Sequence, residues 1–190
     1  MPTKTRDTNT RMYVTTGEDE ANEGEEVRLM STPVPTAQPF LEKFPDATII
    51  SDDVDRPAIL VPKEHIIDAA TLAKEMGFDH AESVSGVDFP NDNQIEVVYH
   101  LGSYTNENLT KCVLALATRA PREDDPRPGQ DSTRLPTLRE VFYSVEFHER
   151  EIFEMFGVYF EGHPDNRRLL LPEDWADLPP MRKDFAIKGR

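Results

Sequence analysis

The sequence predicts an α+β fold. Three observations point there: a well-bounded amphipathic helix over residues 63–76, three consecutive β-type runs joined by short connections over 81–119, and a second bounded helix over 145–156. Short connections between strands make antiparallel pairing the expectation, because parallel strands need long crossovers.

Residues 1–36 carry Glu18, Asp19, Glu20, Glu23, Glu25 and Glu26, then Pro33 and Pro35. They read as an acidic N-terminal arm, since so little apolar surface cannot offset the entropy of ordering. A globular domain is expected over 37–157. Phe40, Leu41 and Phe44 mark a short helix that ends before Pro45. Residues 47–51 and 58–61 read as two short strands, with Asp52, Asp53, Asp55 and Pro57 supplying turn chemistry between them. The helix over 63–76 sets Ile66, Ile67, Ala69, Ala70, Leu72, Ala73 and Met76 in one apolar stripe. Pro62 stands where a helix tolerates proline, at its first position, and Gly77 is the expected left-handed stop.

The three strands are 81–89, 94–101 and 111–119. In the second, Ile95, Val97, Tyr99 and Leu101 alternate; the apolar run of the third reads as burial on both faces. Pro90, Asn91, Asp92 and Asn93 form the turn between the first two. Residues 121–136, rich in proline and charge, read as a loop. Thr137-Leu138-Arg139-Glu140 fits a capping box that opens a short helix. Ser144 caps the helix over 145–156 and Gly157 closes it. That helix turns Val145, Ile152, Phe153 and Phe156 inward and offers the four-apart pairs Glu146/Arg150 and Arg150/Glu154.

Residues 158–190 are apolar in patches (Leu169, Leu170, Leu171, Trp175, Phe185) and broken by Pro164, Pro172, Pro179 and Pro180. A segment so interrupted cannot bury itself as one helix or strand. It reads as an extended C-terminal arm lying on another surface. Residues 162–190 carry a local charge of +1 against −16 for the rest, so arm and body differ electrostatically.

Composition excludes several function classes. The formal net charge of −15 disfavours nucleic acid and electrostatic attachment to anionic lipid. The longest apolar run, residues 112–117, is far short of the roughly twenty residues a spanning helix needs. The first thirty residues hold no apolar stretch resembling a signal peptide. One cysteine, Cys112, permits neither an internal disulfide nor a cysteine-based metal site, and a reducing compartment is the default. There is no glycine-rich phosphate loop.

Candidate chemistry is sparse. A zinc-protease helix beginning at His148 would need a second histidine where Ile152 stands. A metal site from His148, Glu149 and His163 is the arrangement left, set against a plain cluster of helix ion pairs. A stand-alone metal-dependent enzyme or a free adaptor protein are therefore the rivals of another class. Arg167-Arg168 and Arg182-Lys183-Asp184 are better suited to docking: guanidinium groups pair bidentately with carboxylates, and interfaces are enriched in arginine and aromatics.

The run 147–175, FHEREIFEMFGVYFEGHPDNRRLLLPEDW, resembles the 30-kDa subunit of respiratory complex I, the NADH–quinone oxidoreductase. Glu149-Arg150-Glu151, Glu154, Phe156-Gly157, Gly162-His163-Pro164-Asp165, Arg167-Arg168 and a terminal Arg182-Lys183-Asp184-Phe185 carry the resemblance, and 77–90 (GFDHAESVSGVDFP) is similar to the family's first-sheet segment. Leu178-Pro179-Pro180-Met181 departs from the family's usual Gly-His-Pro-Leu.

The resemblance implies helices on a mixed, largely antiparallel sheet, with the arm wrapping a 49-kDa-like subunit that holds the quinone pocket. It implies a non-catalytic peripheral-arm subunit of a membrane-bound, proton-pumping quinone (or phenazine) oxidoreductase, on the cytoplasmic side of the membrane and reaching the membrane only through the complex. Iron–sulfur subunits of the peripheral arm would be further partners. Iron–sulfur clusters, flavin and the quinone-like acceptor would belong to the complex, with none bound by this chain. Deazaflavin-, ferredoxin- or hydrogen-dependent relatives share the subunit. Glu149, Arg150, Glu151, His163, Asp165, Arg167, Arg168, Arg182, Lys183 and Asp184 would then be structural or interface residues.

Overall fold

A computed structural model of the chain describes residues 37–124, 133–172, 174–175 and 178–187. The acidic arm expected over 1–36 lies outside the described residues. Among those described, the order is α1 (Gln38–Lys43), β1 (Thr48–Asp52), β2 (Pro57–Leu60), α2 (Ile66–Glu75), β3 (His80–Phe89), β4 (Gln94–Gly102), β5 (Leu114–Pro121), β6 (Arg134–Pro136), α3 (Glu146–Phe156) and β7 (Tyr159–Glu161).

Five strands form one sheet in the order β1-β2-β5-β4-β3. Every neighbouring pair is antiparallel except β2–β5, so the sheet is mixed and largely antiparallel, as expected. The parallel pair is possible because α2, β3 and β4 supply the long crossover that parallel strands require. The short strands β6 and β7 pair in parallel, with α3 as their crossover.

The core follows the expected alternation. Ile95, Val97, Tyr99 and Leu101 of β4 are fully buried, as are Leu116 of β5 and Ile59 of β2. The inward face of α2 is made of Ile66, Ala69, Ala70 and Ala73, whose small side chains let the helix backbone lie close to its neighbours. Gly77 ends that helix with φ +107°, in the left-handed region expected of it. The approach of α3 to β3 is closer still: a Cβ on Gly86 would stand 2.4 Å from the Phe156 ring. Among the described residues no helix is long and apolar enough to cross a membrane.

Several local expectations are corrected. The helix over 63–76 begins as a 3-10 turn, Lys63–His65, and Pro62 flanks it in extended conformation (ψ 145°) rather than opening it. The third strand starts at Leu114, because a 3-10 turn, Glu107–Leu109, and a further bend use the residues before it. Thr137 to Glu140 form a single turn rather than a capped helix. The Thr137 hydroxyl, accepting from the Arg139 amide at 3.1 Å, also donates to Glu149, so it is committed to tertiary structure. Ser144 does not cap α3. A 3-10 turn, Tyr143–Val145, leads into that helix, and the Ser144 hydroxyl accepts from the Ala81 amide at 2.9 Å, beside an irregularity in the β3 pairing. The loop expected over 121–136 contains the end of β5 and all of β6, anchored by buried Leu135; residues 125–132 lie outside the described residues.

The body also continues past Gly157. Val158 and Phe160 are fully buried and β7 pairs with β6, so the first residues of the expected arm belong to the core. The prolines begin only at Pro164, which leaves room for this short strand.

Candidate functional site

Helix α3 organises the region that carries the unusual residues, and its charged side chains point to different elements. Glu149 and His163 side chains are both inaccessible to solvent. The Glu149 carboxyl accepts from the Tyr99 hydroxyl at 3.0 Å, the Leu138 amide at 2.9 Å and the Thr137 hydroxyl. It thereby ties β4, the turn after β6 and α3 together. Burial pushes the Glu149 carboxyl above its ordinary range, against the opposing pull of those donors and of His163. Burial and the adjacent Glu149 likewise raise the Tyr99 phenol.

His163 lies 4.0 Å from Glu149. Its Nε2 donates to the Glu146 carbonyl and its Nδ1 accepts from the Asp165 amide, both at 3.0 Å. Both ring nitrogens are thus engaged by backbone, leaving no lone pair for a metal. His148 bonds the Ser144 carbonyl through Nδ1 at 3.1 Å. Among the described residues no three His, Cys, Asp or Glu side chains converge as a metal site needs. The rival site of His148, Glu149 and His163 does not assemble.

One turn further, Arg150 and Glu154 hold the segment after β7 by its backbone. Arg150 donates to the carbonyls of Arg167 at 3.1 Å and Arg168 at 3.0 Å, and stands 3.5 Å from Asp165. The buried Glu154 carboxyl accepts from three successive amides, Leu169 at 2.6 Å, Leu170 at 2.9 Å and Leu171. Successive amides around one carboxyl form an anion-binding nest. The expected pairs Glu146/Arg150 and Arg150/Glu154 are replaced by these tertiary partners, and Glu146 instead pairs with Arg139 at 3.0 Å. Asp165 caps its own turn, accepting from the Arg167 amide and guanidinium at 3.1 and 2.8 Å. That guanidinium, with Arg150 nearby, holds its carboxyl well below the ordinary range. Arg168 reaches the Pro172 carbonyl at 3.0 Å.

A second anchor fastens residues 181–185. Asp88 on β3 binds Arg122 Nε at 2.7 Å and accepts from the Lys183 amide at 2.8 Å. Arg122 reaches Asp184 at 2.7 Å. The Arg182 side chain is fully buried; Nη2 donates to the Glu123 carbonyl, Nε stands 3.5 Å from the Asp184 carboxylate, and neither Nε nor Nη1 has a hydrogen-bond partner among the described residues. Burial and the neighbouring Arg122 lower the pKa of its guanidinium, whereas the hydrogen bonds and charges of Asp88 and Asp184 raise that of Arg122 despite its burial.

Nine of the ten residues singled out from the sequence therefore fall into these contacts; the exception is Glu151, which is exposed. Sequence reading missed Glu154, Asp88, Arg122, Tyr99 and Thr137 as site residues. Glu154 is visible in the sequence as a helical charge, and its four-residue spacing from Arg150 places both on one helix face. Nothing in the sequence links Asp88 or Arg122 to a segment some sixty to ninety-five residues away.

A sequence model described as respiratory-chain NADH dehydrogenase, 30 Kd subunit, matches residues 59–190. A subunit of the F(420)H(2) dehydrogenase of Methanosarcina mazei is 34% identical over 147 residues, 75% of this chain and 85% of that protein. A subunit of the NADH-quinone oxidoreductase of Moorella thermoacetica is 34% identical over 146 residues, 76% of this chain and 89% of that protein. A chain of the membrane-bound sulfane sulfur reductase, an archaeal respiratory membrane complex, superposes with a TM-score of 0.66 at 30% identity, covering 80% of this chain and 84% of that one. A trypsin-resistant fragment of Nqo5 superposes with a TM-score of 0.54 at 28% identity, covering 67% and 97%. The site's unusual residues lie within the matched region, and the chain belongs to the 30-kDa subunit family of respiratory-chain NADH dehydrogenase.

Proposed function

We propose that this chain is a non-catalytic bracing subunit in the peripheral arm of a complex I-type quinone oxidoreductase, docked on a 49-kDa-like subunit on the cytoplasmic side of the membrane. The observation that carries this reading is the backbone clamp. Arg150 and Glu154 hold residues 167–171 by carbonyls and amides, while the side chains of Leu169 and Leu170 stay 41% and 63% exposed. A protein that fixes a segment by its backbone and turns leucines outward is built to present them. Arg182-Lys183-Asp184 is fastened separately, through Asp88 and Arg122.

In this reading the iron–sulfur clusters, flavin and quinone-like acceptor belong to other subunits, and so does the choice of electron donor. Relatives that carry both NADH and F(420)H(2) in their names support a component that suits either input.

Affinity purification of the chain from native membranes in mild detergent, with mass spectrometry and iron analysis, tests the proposal. Co-purification of a 49-kDa-like subunit with iron–sulfur subunits is the expected result. Recovery of the chain alone from the soluble fraction, without iron, overturns it.

A further inference from the structure

The Glu149-Arg150-Glu151 run assigns two of its three members inside the chain. Glu149 is spent in the core and Arg150 on the clamp; Glu151 has no ion pair or hydrogen bond among the described residues and is exposed. It stands on the lip of a groove of about 340 Å³ between α3 and β3. Ile152, Met155 and Phe156 line it from the helix, Val84, Ser85 and Gly86 from the strand, and Met181 adds a flexible thioether that is 59% exposed.

The strand side of the groove is a sheet edge. β3 is the last strand in the order and, among the described residues, carries no strand on its outer side. Among the described residues, hydrogen bonds reach that edge near its two ends: Ser144 meets the Ala81 amide, and the Lys183 amide meets the Asp88 carboxyl. Residues 84–86 between them lie beside the groove. An uncovered edge next to an apolar trough invites an added strand, whose backbone pairs with the edge while alternate side chains fill the trough. Methionines suit such a trough because they repack around different shapes. Glu151 is the one charged residue lining it.

We propose that this groove receives an extended apolar segment of a neighbouring subunit that carries a Lys or Arg opposite Glu151. Charge selects this occupant: the groove's only charge is negative, on a chain of net charge −15, so a basic residue is favoured and an acidic segment is repelled. The inference rests on the assembly reading and names a docking mode within it.

The test uses the complex purified through this chain, with a photo-crosslinking residue in place of the exposed Met181, which lines the groove, and peptide mapping of its products. The expected product joins position 181 to an apolar stretch, bearing Lys or Arg, of another subunit. In parallel, Glu151→Lys is expected to lower retention of that subunit about tenfold in low-salt washes. Glu140→Lys, on an exposed residue outside the groove, should leave retention within twofold. An intact complex in which position 181 crosslinks only to its own chain, to a second copy, to an acidic segment or to nothing overturns the groove while leaving the assembly reading in place. Absence of redox subunits from the wild-type purification overturns both.

Discussion

Among the described residues no Lys or Arg pairs with Glu149, and three donors from separate elements converge on it. Glu149→Ala would leave the Tyr99 and Thr137 hydroxyls and the Leu138 amide unpaired in the core. A loss of about 3–5 kcal/mol is expected in urea titrations, since each stranded buried donor costs about 1–3 kcal/mol and relaxation recovers part. Glu149→Gln keeps an acceptor oxygen, and the Thr137 hydroxyl can rotate to accept, so it should cost about half as much. The pH dependence has a defined sign. Burial raises the Glu149 pKa above its ordinary 4.5, so the folded chain holds that proton more tightly than the unfolded chain. The associated stabilisation is complete at low pH and is lost as pH rises through the folded-state value. The stability gap between wild type and Glu149→Gln should therefore narrow as pH rises above the ordinary 4.5; a constant gap would show that Glu149 does not titrate there. The sequence marks Glu149 as unusual, but its partners are illegible there, because Tyr99 lies fifty residues away and reads only as one apolar position in an alternating strand.

At the level of elements, the contact between β3 and α3 has the tightest tolerance. Gly86→Ala would drive a methyl group into the Phe156 ring, which is part of the core. Overpacking of this kind costs about 1–3 kcal/mol, and Phe156→Leu in the same chain should recover part of it, a coupling that a double-mutant cycle measures. The clamp on α3 predicts a different signature. Glu154→Ala releases the Leu169, Leu170 and Leu171 amides; their hydrogen exchange should quicken about tenfold or more, for bonds worth about 1.5–3 kcal/mol to a charged group, while α3 itself keeps its protection. Strand and helix positions are legible because the periods of β4 and α2 are clean. Caps and turns are not, because Ser144 and Thr137 carry hydroxyls that serve either a local cap or a distant partner, here the Ala81 amide and the Glu149 carboxylate, and the sequence does not rank these choices.

Across the whole molecule, the C-terminal segment is sewn to the body at two places, the α3 clamp and the Asp88–Arg122 anchor. The anchor sits deep, with side-chain exposures of 5% for Arg122 and 1% for Asp88. Asp88→Ala leaves Arg122 beside Arg182 with only Asp184 and solvent-facing Asp124 to compensate. A loss of about 3–5 kcal/mol is expected in thermal or urea unfolding, as for other buried pairs stripped of one partner. Limited proteolysis should then cut near 181–185 before it cuts the sheet. The family resemblance is legible in the residues around α3, whereas the anchor is not, because no sequence pattern ties β3 to a segment ninety-five residues later.

Over residues 167–171 the α3 clamp grips through main-chain atoms. Those atoms are the same for any residue but proline, which has no amide hydrogen to donate, so the grip is otherwise indifferent to spelling. The leucine triplet is in effect a cassette: its letters can be rewritten without loosening the mount. Replacing Leu169 and Leu170 with other residues that tolerate the same backbone should retune what the surface attracts while leaving the fold's own unfolding midpoint within a degree or two. For an engineer who wishes to redirect this protein to a different neighbour, that is where the text can be edited.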